Sequence, residues 1–160
     1  MEIVTIGKVV GTHGIKGEIR ILSQFPYKEK VFVVGNPLII DGETYVIQSY
    51  RVHKNYDMVT LNDFHDINEV LFLMKKEVSF PKEKLSLASN EVLDEDLITY
   101  EVLTNDGKKG IIKEIFMASP ENKILRIQFD HEVLIPMNSP MIEKIDKNNK
   151  QVVVRLIDGI

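Results

Sequence analysis

Residues 7–20 read Gly7-Lys-Val-Val-Gly-Thr-His-Gly-Ile-Lys-Gly-Glu-Ile-Arg20. Gly11, Gly14 and Gly17 fall three apart between two β-rich runs. Without a side chain, glycine takes positive φ or lets another backbone come close, so this spacing marks a tightly shaped loop. Thr12, His13 and Lys16 lie between the glycines and are polar, so they are expected to face outward. Beyond Gly17, Glu18 and Arg20 alternate with Ile19 and Ile21, the period of a half-buried strand. The loop is no phosphate loop: that motif needs Gly-Lys followed by Ser or Thr, and the dinucleotide fingerprint needs G-x-G-x-x-G before a helix. Here the spacing is G-x-x-G-x-x-G and a strand follows. Two readings stay open from the residues alone. One is a purely structural hairpin loop, which the glycines favour. The other is a loop that presents His13 and Lys16 to a partner.

Outward from this stretch, the β habit continues. Residues 2–10 and 18–23 read as a hairpin, and Val31–Val34 as a short strand after a loop at 24–30. Leu38–Ile40 and Thr44–Ile47 flank Asp41-Gly42, which supplies the positive-φ positions of a type I′ turn. Gln48–His53 alternates, Lys54–Asp57 turns, and Met58–Leu61 is a strand. Asp66 followed by Glu69 has the form of a capping box. Ile67, Val70, Leu71 and Met74 then share one helical face, which predicts one short helix over 66–76. Glu77–Phe80 returns to strand. Pro81–Asp96 is polar, without period, and reads as a linker. In the second half, Thr99–Thr104 and Lys109–Met117 flank Asn105-Asp106-Gly107, with Gly110 a candidate bulge. Lys123–Phe129, Glu132–Ile135 and Gln151–Leu156 are further strands, and Met137–Ile145 fits either a helical turn or a strand. Many short strands with regular turns indicate small barrels. The fold class is mainly β: two small β-barrels, with domains 1–80 and 97–160 and a linker at 81–96.

At 160 residues and 44% hydrophobic content, the chain can bury a real core. No apolar run approaches the roughly 20 residues of a membrane helix, and Met1-Glu-Ile-Val-Thr-Ile has no signal-peptide pattern; a cytoplasmic protein is expected. The absence of cysteine excludes disulfides and thiolate chemistry. Net charge is −4. Residues 1–85 balance eleven cationic against eleven acidic side chains, whereas residues 86–160 hold nine against thirteen. Such a balance argues against coating nucleic acid along the whole chain and suits a basic partner for the second half. Within residues 1–56, Lys8, Lys16, Arg20, Lys28, Lys30, Arg51 and Lys54 outnumber the acids, so a local RNA contact is expected there.

Catalytic patterns are sparse. His13, His53, His65 and His131 form no zinc-binding spacing, and no serine stands in Gly-x-Ser-x-Gly. Asp94-Glu95-Asp96 reads as a charged linker edge in preference to a cation site, and the methionines as core filler. His13 and His53 lie beside basic residues and are the better candidates for contacts.

The stretch from Gly7 to Arg20 resembles the opening signature of the ribosome maturation factor RimM family, Gly-x-Val-Val-Gly-x-His-Gly-hydrophobic-Lys-Gly-Glu-hydrophobic-Arg. Arg51-Val-His-Lys is similar to the family's basic Arg-x-His-Lys stretch, and Asp66-Ile-Asn-Glu to the start of its helix. Asp96-Leu97-Ile98, Glu101-Val102 and Asp106-Gly107 resemble the start of its C-terminal PRC-barrel. Leu134-Ile135-Pro136 and Asp158-Gly159-Ile160 match later family positions. Three places depart from the pattern. Val92-Leu93 replace paired aromatics that the family carries at a surface implicated in ribosome contact. Pro120-Glu121-Asn122-Lys123 replaces a Gly-Ala-Asn-Asp loop, and Ile98-Thr99 replaces Ile-Gly.

The resemblance implies a translation-factor/reductase-like first barrel with one short helix, a PRC-barrel second, and a non-enzymatic role that needs no cofactor or metal. It implies binding to the 30S subunit or its precursor, contact with ribosomal protein S-nineteen, and support for 16S rRNA processing and assembly of the 30S head. A monomer is expected. Combined with the charge pattern, the partner- or RNA-binding candidates are His13, Lys16, Arg20, Arg51, His53, Lys54, Val92 and Leu93, with Gly11, Gly14 and Gly17 shaping the loop. The alternative reading of the barrels is a flavin- or nucleotide-binding enzyme, since fold does not carry function.

Overall fold

A computed structural model describes residues 2–157 and 159–160. Asp158, part of the Asp158-Gly159-Ile160 match, lies outside the described residues. The chain divides into two compact units, Met1–Ser86 and Leu87–Ile160.

The first unit is built from β1 (Ile3–His13), β2 (Glu18–Leu22), α1 (Lys28–Val31), β3 (Pro37–Ile40), β4 (Glu43–His53), β5 (Tyr56–Leu61) and β6 (Glu77–Pro81). Its strands close into a barrel in the order β1-β2-β5-β4-β3-β6, and β6 returns antiparallel to β1 from Ile3↔Pro81 to Lys8↔Glu77. Alternation places Ile19 and Ile21 wholly inside the barrel, as their period predicts. Leu38, Ile40, Leu61 and Val78 fill the same interior. Each such side chain contributes about 1.5–3 kcal/mol by leaving water. The β3–β4 turn holds Asp41 at φ 52° and Gly42 at φ 81°, the two positive values that a type I′ turn requires.

A buried polar group sits among these residues. Asp57 on β5 is 2% exposed. Its Oδ1 accepts from the Tyr50 hydroxyl at 2.6 Å. Lys28 Nζ on α1 lies 2.9 Å from Oδ2 in an ion pair. Phe32 stacks flat on Tyr50 at 5.5 Å. Burial, then the hydrogen bond and charge of Asp57, push the Tyr50 phenol well above its ordinary value, so it stays a donor at any physiological pH.

Two local expectations are corrected. Val31–Val34, read as a strand, instead begins with the last residue of the helical turn α1 and continues through a bend at Phe32. Val31 and Phe32 are both buried while Val33 and Val34 are exposed, a grouping that alternation cannot produce. The Asn36 amide donates to the carbonyls of Lys30 and Val31, closing the turn. The helix expected over 66–76 is two successive 3-10 turns, Ile67–Glu69 and Leu71–Leu73. Asp66 is the N-cap, its Oδ1 accepting from Asn68 N at 2.7 Å, but the reciprocal bond of a capping box is not made: Glu69 Oε1 accepts from His65 N at 3.1 Å, one residue before the cap. The buried residues are Val70 and Leu73, three apart, which is the 3-10 period. Leu71, expected on the buried face, is 48% exposed. Lys75 at φ 67° then turns the chain into β6.

The second unit contains α2 (Asp94–Leu97), β7 (Glu101–Thr104), β8 (Lys109–Ser119), β9 (Asn122–Gln128), β10 (Glu132–Pro136), β11 (Ile142–Asp146) and β12 (Gln151–Val154). Its six-stranded sheet runs β10-β9-β8-β7-β12-β11, a half-barrel. The β7–β12 pairing is parallel. Leu97, Leu125, Ile127, Ile135, Val152 and Val154 form its core. Gly110 is no bulge: it pairs in unbroken register with Val102. A Cβ there would lie 2.6 Å from the Phe129 ring and 2.9 Å from the Gln128 carbonyl, so close packing explains the glycine.

Residues 81–96 are ordered by contacts of their own. Pro81 ends β6, Lys82–Lys84 form a 3-10 turn, and Leu85 packs on the first core. Val92 joins the second core, and Asp94 begins α2.

Candidate functional site

One end of the barrel gathers six of the eight candidate contact residues. β1 ends at His13, and β2 begins at its pairing partner Glu18. Arg20 on β2 pairs with Gly11 and, on its other side, with Met58 of β5. β4 ends in Arg51-Val52-His53, followed by Lys54 at φ 56° in the turn to Tyr56. Barrel curvature thus brings the ends of β1 and β4 together, although forty residues separate His13 from His53. Their rings meet at 5.3 Å, tilted by 57°.

Arg20 Nη2 lies 3.2 Å from His13 Nδ1, and its guanidinium stands 5.8 Å from the Tyr56 ring. Arg51 grips Glu18 with two bonds, Nε to Oε2 at 2.8 Å and Nη2 to Oε1 at 2.7 Å, the bidentate geometry that suits guanidinium to carboxylate. This pair holds the Glu18 carboxyl below its ordinary value, against partial desolvation, with His13 and His53 adding to the effect. His53 is held below the ordinary imidazole value by partial desolvation and by Arg51, His13, Lys54 and Arg20. Lys16 lies exposed on the loop. With His13, Gly14, Ile15, Glu18 and Thr60 it lines an open groove of about 430 Å³.

The loop itself is braced. Ile67 N donates to the Ile15 carbonyl at 2.9 Å. Gly17, at φ 89°, packs where a Cβ would lie 3.2 Å from the Phe64 carbonyl. Gly14 has φ 68° but open space around it. Gly11 lies in β1, beside a break in register between Val9 and Gly11. The three glycines therefore do different things: Gly17 permits close approach, Gly14 permits a turn, and Gly11 sits at a bulge.

Val92 and Leu93 are not part of this group. Each is 5% exposed, Val92 within the second core, and they present little surface to a partner. Two rim residues not singled out from sequence are Glu18 and Tyr56. Alternation had placed Glu18 on the same side as Arg20, but nothing in the sequence pairs it with Arg51, thirty-three positions away. Among the described residues, no group of three or more His, Cys, Asp or Glu could hold a metal ion, and no helix is long and apolar enough to cross a membrane.

The Glu18–Arg51 pair makes a pH prediction. A carboxyl held below its unfolded value stabilises the fold above that unfolded value, about 4.3. The contribution is lost as pH falls through the folded value. Glu18→Gln should therefore reduce the difference in urea midpoint between pH 7 and pH 3. The effect should be small, because Arg51 is exposed to screening. An undiminished difference would place the acid sensitivity elsewhere.

A closed barrel followed by a half-barrel, with cations and imidazoles gathered at one barrel end, defines a two-domain β-barrel protein whose exposed chemistry is charge contact. The RimM N-terminal domain family model matches residues 4–85, and the PRC-barrel domain model residues 89–159. A ribosome maturation factor RimM from Bacillus mycoides (strain KBAB4) is 32% identical across 97% of this chain and 96% of the relative. One from Ligilactobacillus salivarius (strain UCC118) is also 32% identical, across 100% and 99%. The solution structure of the N-terminal domain of RimM from Thermus thermophilus superposes at a TM-score of 0.48 with 18% identity, over 54% of this chain and 98% of that one. The chain belongs to the RimM family of ribosome maturation factors.

Proposed function

We propose that this protein binds the 30S ribosomal subunit or its precursor as a cytoplasmic monomer and assists 16S rRNA processing and assembly of the 30S head, without catalysing a reaction. A factor of this kind acts by mass action: it stabilises the state it binds and leaves when that surface changes. The observation that carries the reading is the barrel rim. Lys16, Arg20, Arg51 and Lys54 converge there around Glu18, whose carboxylate Arg51 already neutralises. Such a surplus suits RNA phosphates.

The second unit is assigned to a basic partner, ribosomal protein S-nineteen, on its excess of acidic side chains. Several of those acids are already paired: Arg126 lies between Glu114 and Glu132, and Arg155 holds Glu143. The remaining surface charge sets that contact. Val92 and Leu93 enter only as its buried support.

Lys16→Glu should leave the melting temperature unchanged and weaken association with purified 30S particles by about tenfold, or ~1.4 kcal/mol. Co-sedimentation checks this, and unaltered association would make the loop purely structural. The wider reading fails if the protein never comigrates with 30S particles in cell extract and its deletion leaves 16S rRNA processing normal.

A further inference from the structure

The imidazole pair contains something that charge steering alone does not need. A guanidinium can only donate hydrogen bonds, so in the 3.2 Å contact with Arg20 Nη2, His13 Nδ1 is the acceptor. The His53 ring lies 5.3 Å away. Facing the two rings are Arg20 and Glu18 from β2, Tyr56 from β5, Arg51 and Lys54 from β4 and its turn, and Lys16 from the loop. Glu18 is the acid in this group, and both its oxygens are held by Arg51. Arg20 Nε is buried without a hydrogen-bond partner. The cations around His53 oppose its protonation, and the Glu18 carboxylate beside it is held by Arg51. A bound anion would reverse this balance. It would accept from Arg20, shield the repulsion between cations, and favour the imidazolium form.

We propose that His13, His53 and Arg20 form a proton-linked clamp for an RNA phosphodiester, taking up a proton from solvent as the phosphate enters and releasing it as the phosphate leaves. No bond to phosphorus is made or broken. The clamp rests on the RNA-facing reading of the rim and adds its regulation. An imidazole changes charge near neutrality, and one linked proton tightens binding by up to about tenfold per pH unit. Affinity at the rim should then rise as pH falls through the neutral range.

The test uses the full chain and a fluorescent single-stranded oligoribonucleotide, with anisotropy read at pH 8 and pH 6 at fixed ionic strength. Binding should be about tenfold tighter at pH 6. In His13→Gln and His53→Gln the gain should fall to about threefold or less, the remainder coming from groups such as His65 and His131. The glutamine at position 13 can still accept from Arg20, which preserves the loop. A wild-type affinity constant with pH, or variants that keep the full gain, would overturn the clamp. Inorganic phosphate should compete only at several millimolar or above; complete displacement at lower concentration would assign the site to free phosphate and overturn the RNA assignment. Co-sedimentation with 30S particles at pH 8 separates the two claims. Association without a pH gain overturns the clamp alone. A pH gain without association overturns the ribosomal reading and supports the clamp.

Discussion

Asp57→Ala is expected to destabilise the first unit by about 3 kcal/mol, lowering its melting temperature by on the order of 10–20 °C. The carboxylate is 2% exposed and has two partners, the Tyr50 hydroxyl and the Lys28 ammonium. Removing it leaves a donor facing a hole under the Phe32–Tyr50 stack. The Lys28 side chain is 37% exposed and can return to water, which keeps the loss below that of a fully buried pair. Asp57→Asn keeps an acceptor for Tyr50 and should cost less, about 1 kcal/mol. Combining Asp57→Ala with Tyr50→Phe should cost less than the sum of the two singles, because the stranded hydroxyl is removed. Calorimetry of the four variants beside the wild type decides the matter. A loss in Asp57→Ala no larger than that in Asp57→Asn would mean that the buried carboxylate is not a linchpin.

Gly7→Ala should cost about 2 kcal/mol and Gly7→Val more, while Gly14→Ala should cost only about 1 kcal/mol. Gly7 lies beside a register break in the β1–β6 pairing. A Cβ there would sit 2.7 Å from the Leu22 carbonyl and 2.9 Å from Ile21 Cγ2. Backbone cannot step aside as a flexible side chain can, so β1 and β2 would have to part. At Gly14 a side chain meets nothing within 4 Å, and the cost is the strain of φ 68° alone. Denaturant unfolding of the three variants gives the ranking. A Gly14→Ala loss equal to or above that of Gly7→Ala would refute the close-packing account.

That ranking shows where sequence reading reaches and where it stops. Turn chemistry is local, so Asp41-Gly42 announced its hairpin, and alternation put Ile19 and Ile21 inside. The glycine spacing drew attention to Gly11, Gly14 and Gly17, yet the most crowded glycine of the quoted stretch is Gly7. Its neighbour Leu22 belongs to another strand, and no local pattern reveals a cross-strand approach. Val31-Phe32-Val33-Val34 is apolar throughout and carries no period, so strand and helical turn could not be told apart. The start of the 66–76 segment was legible in Asp66 as its N-cap, but whether i+3 or i+4 bonds follow depends on what Val70 and Leu73 pack against. Val92 and Leu93 stand in a polar stretch without a period, and only tertiary burial shows that they are covered. The rim residues were each legible as basic or imidazole. Their convergence, the Glu18–Arg51 grip and the position of Tyr56 arise from barrel curvature.

The pairing of β1 with β6 also fixes when the first unit can become native. Residues 3–8 must wait for residues 77–81, so the ring cannot close on a nascent chain until nearly the whole unit has left the exit tunnel. Until then β1 has one antiparallel neighbour and an open edge. The parallel β7–β12 ladder makes the same demand later, joining residues 101–104 to 151–154. Contacts so distant along the chain slow folding, and at synthesis rates of about 5–20 residues per second the first barrel has seconds to close before the last strand of the second unit emerges. Folding in sequence, one ring and then one sheet, is built into the order of the strands.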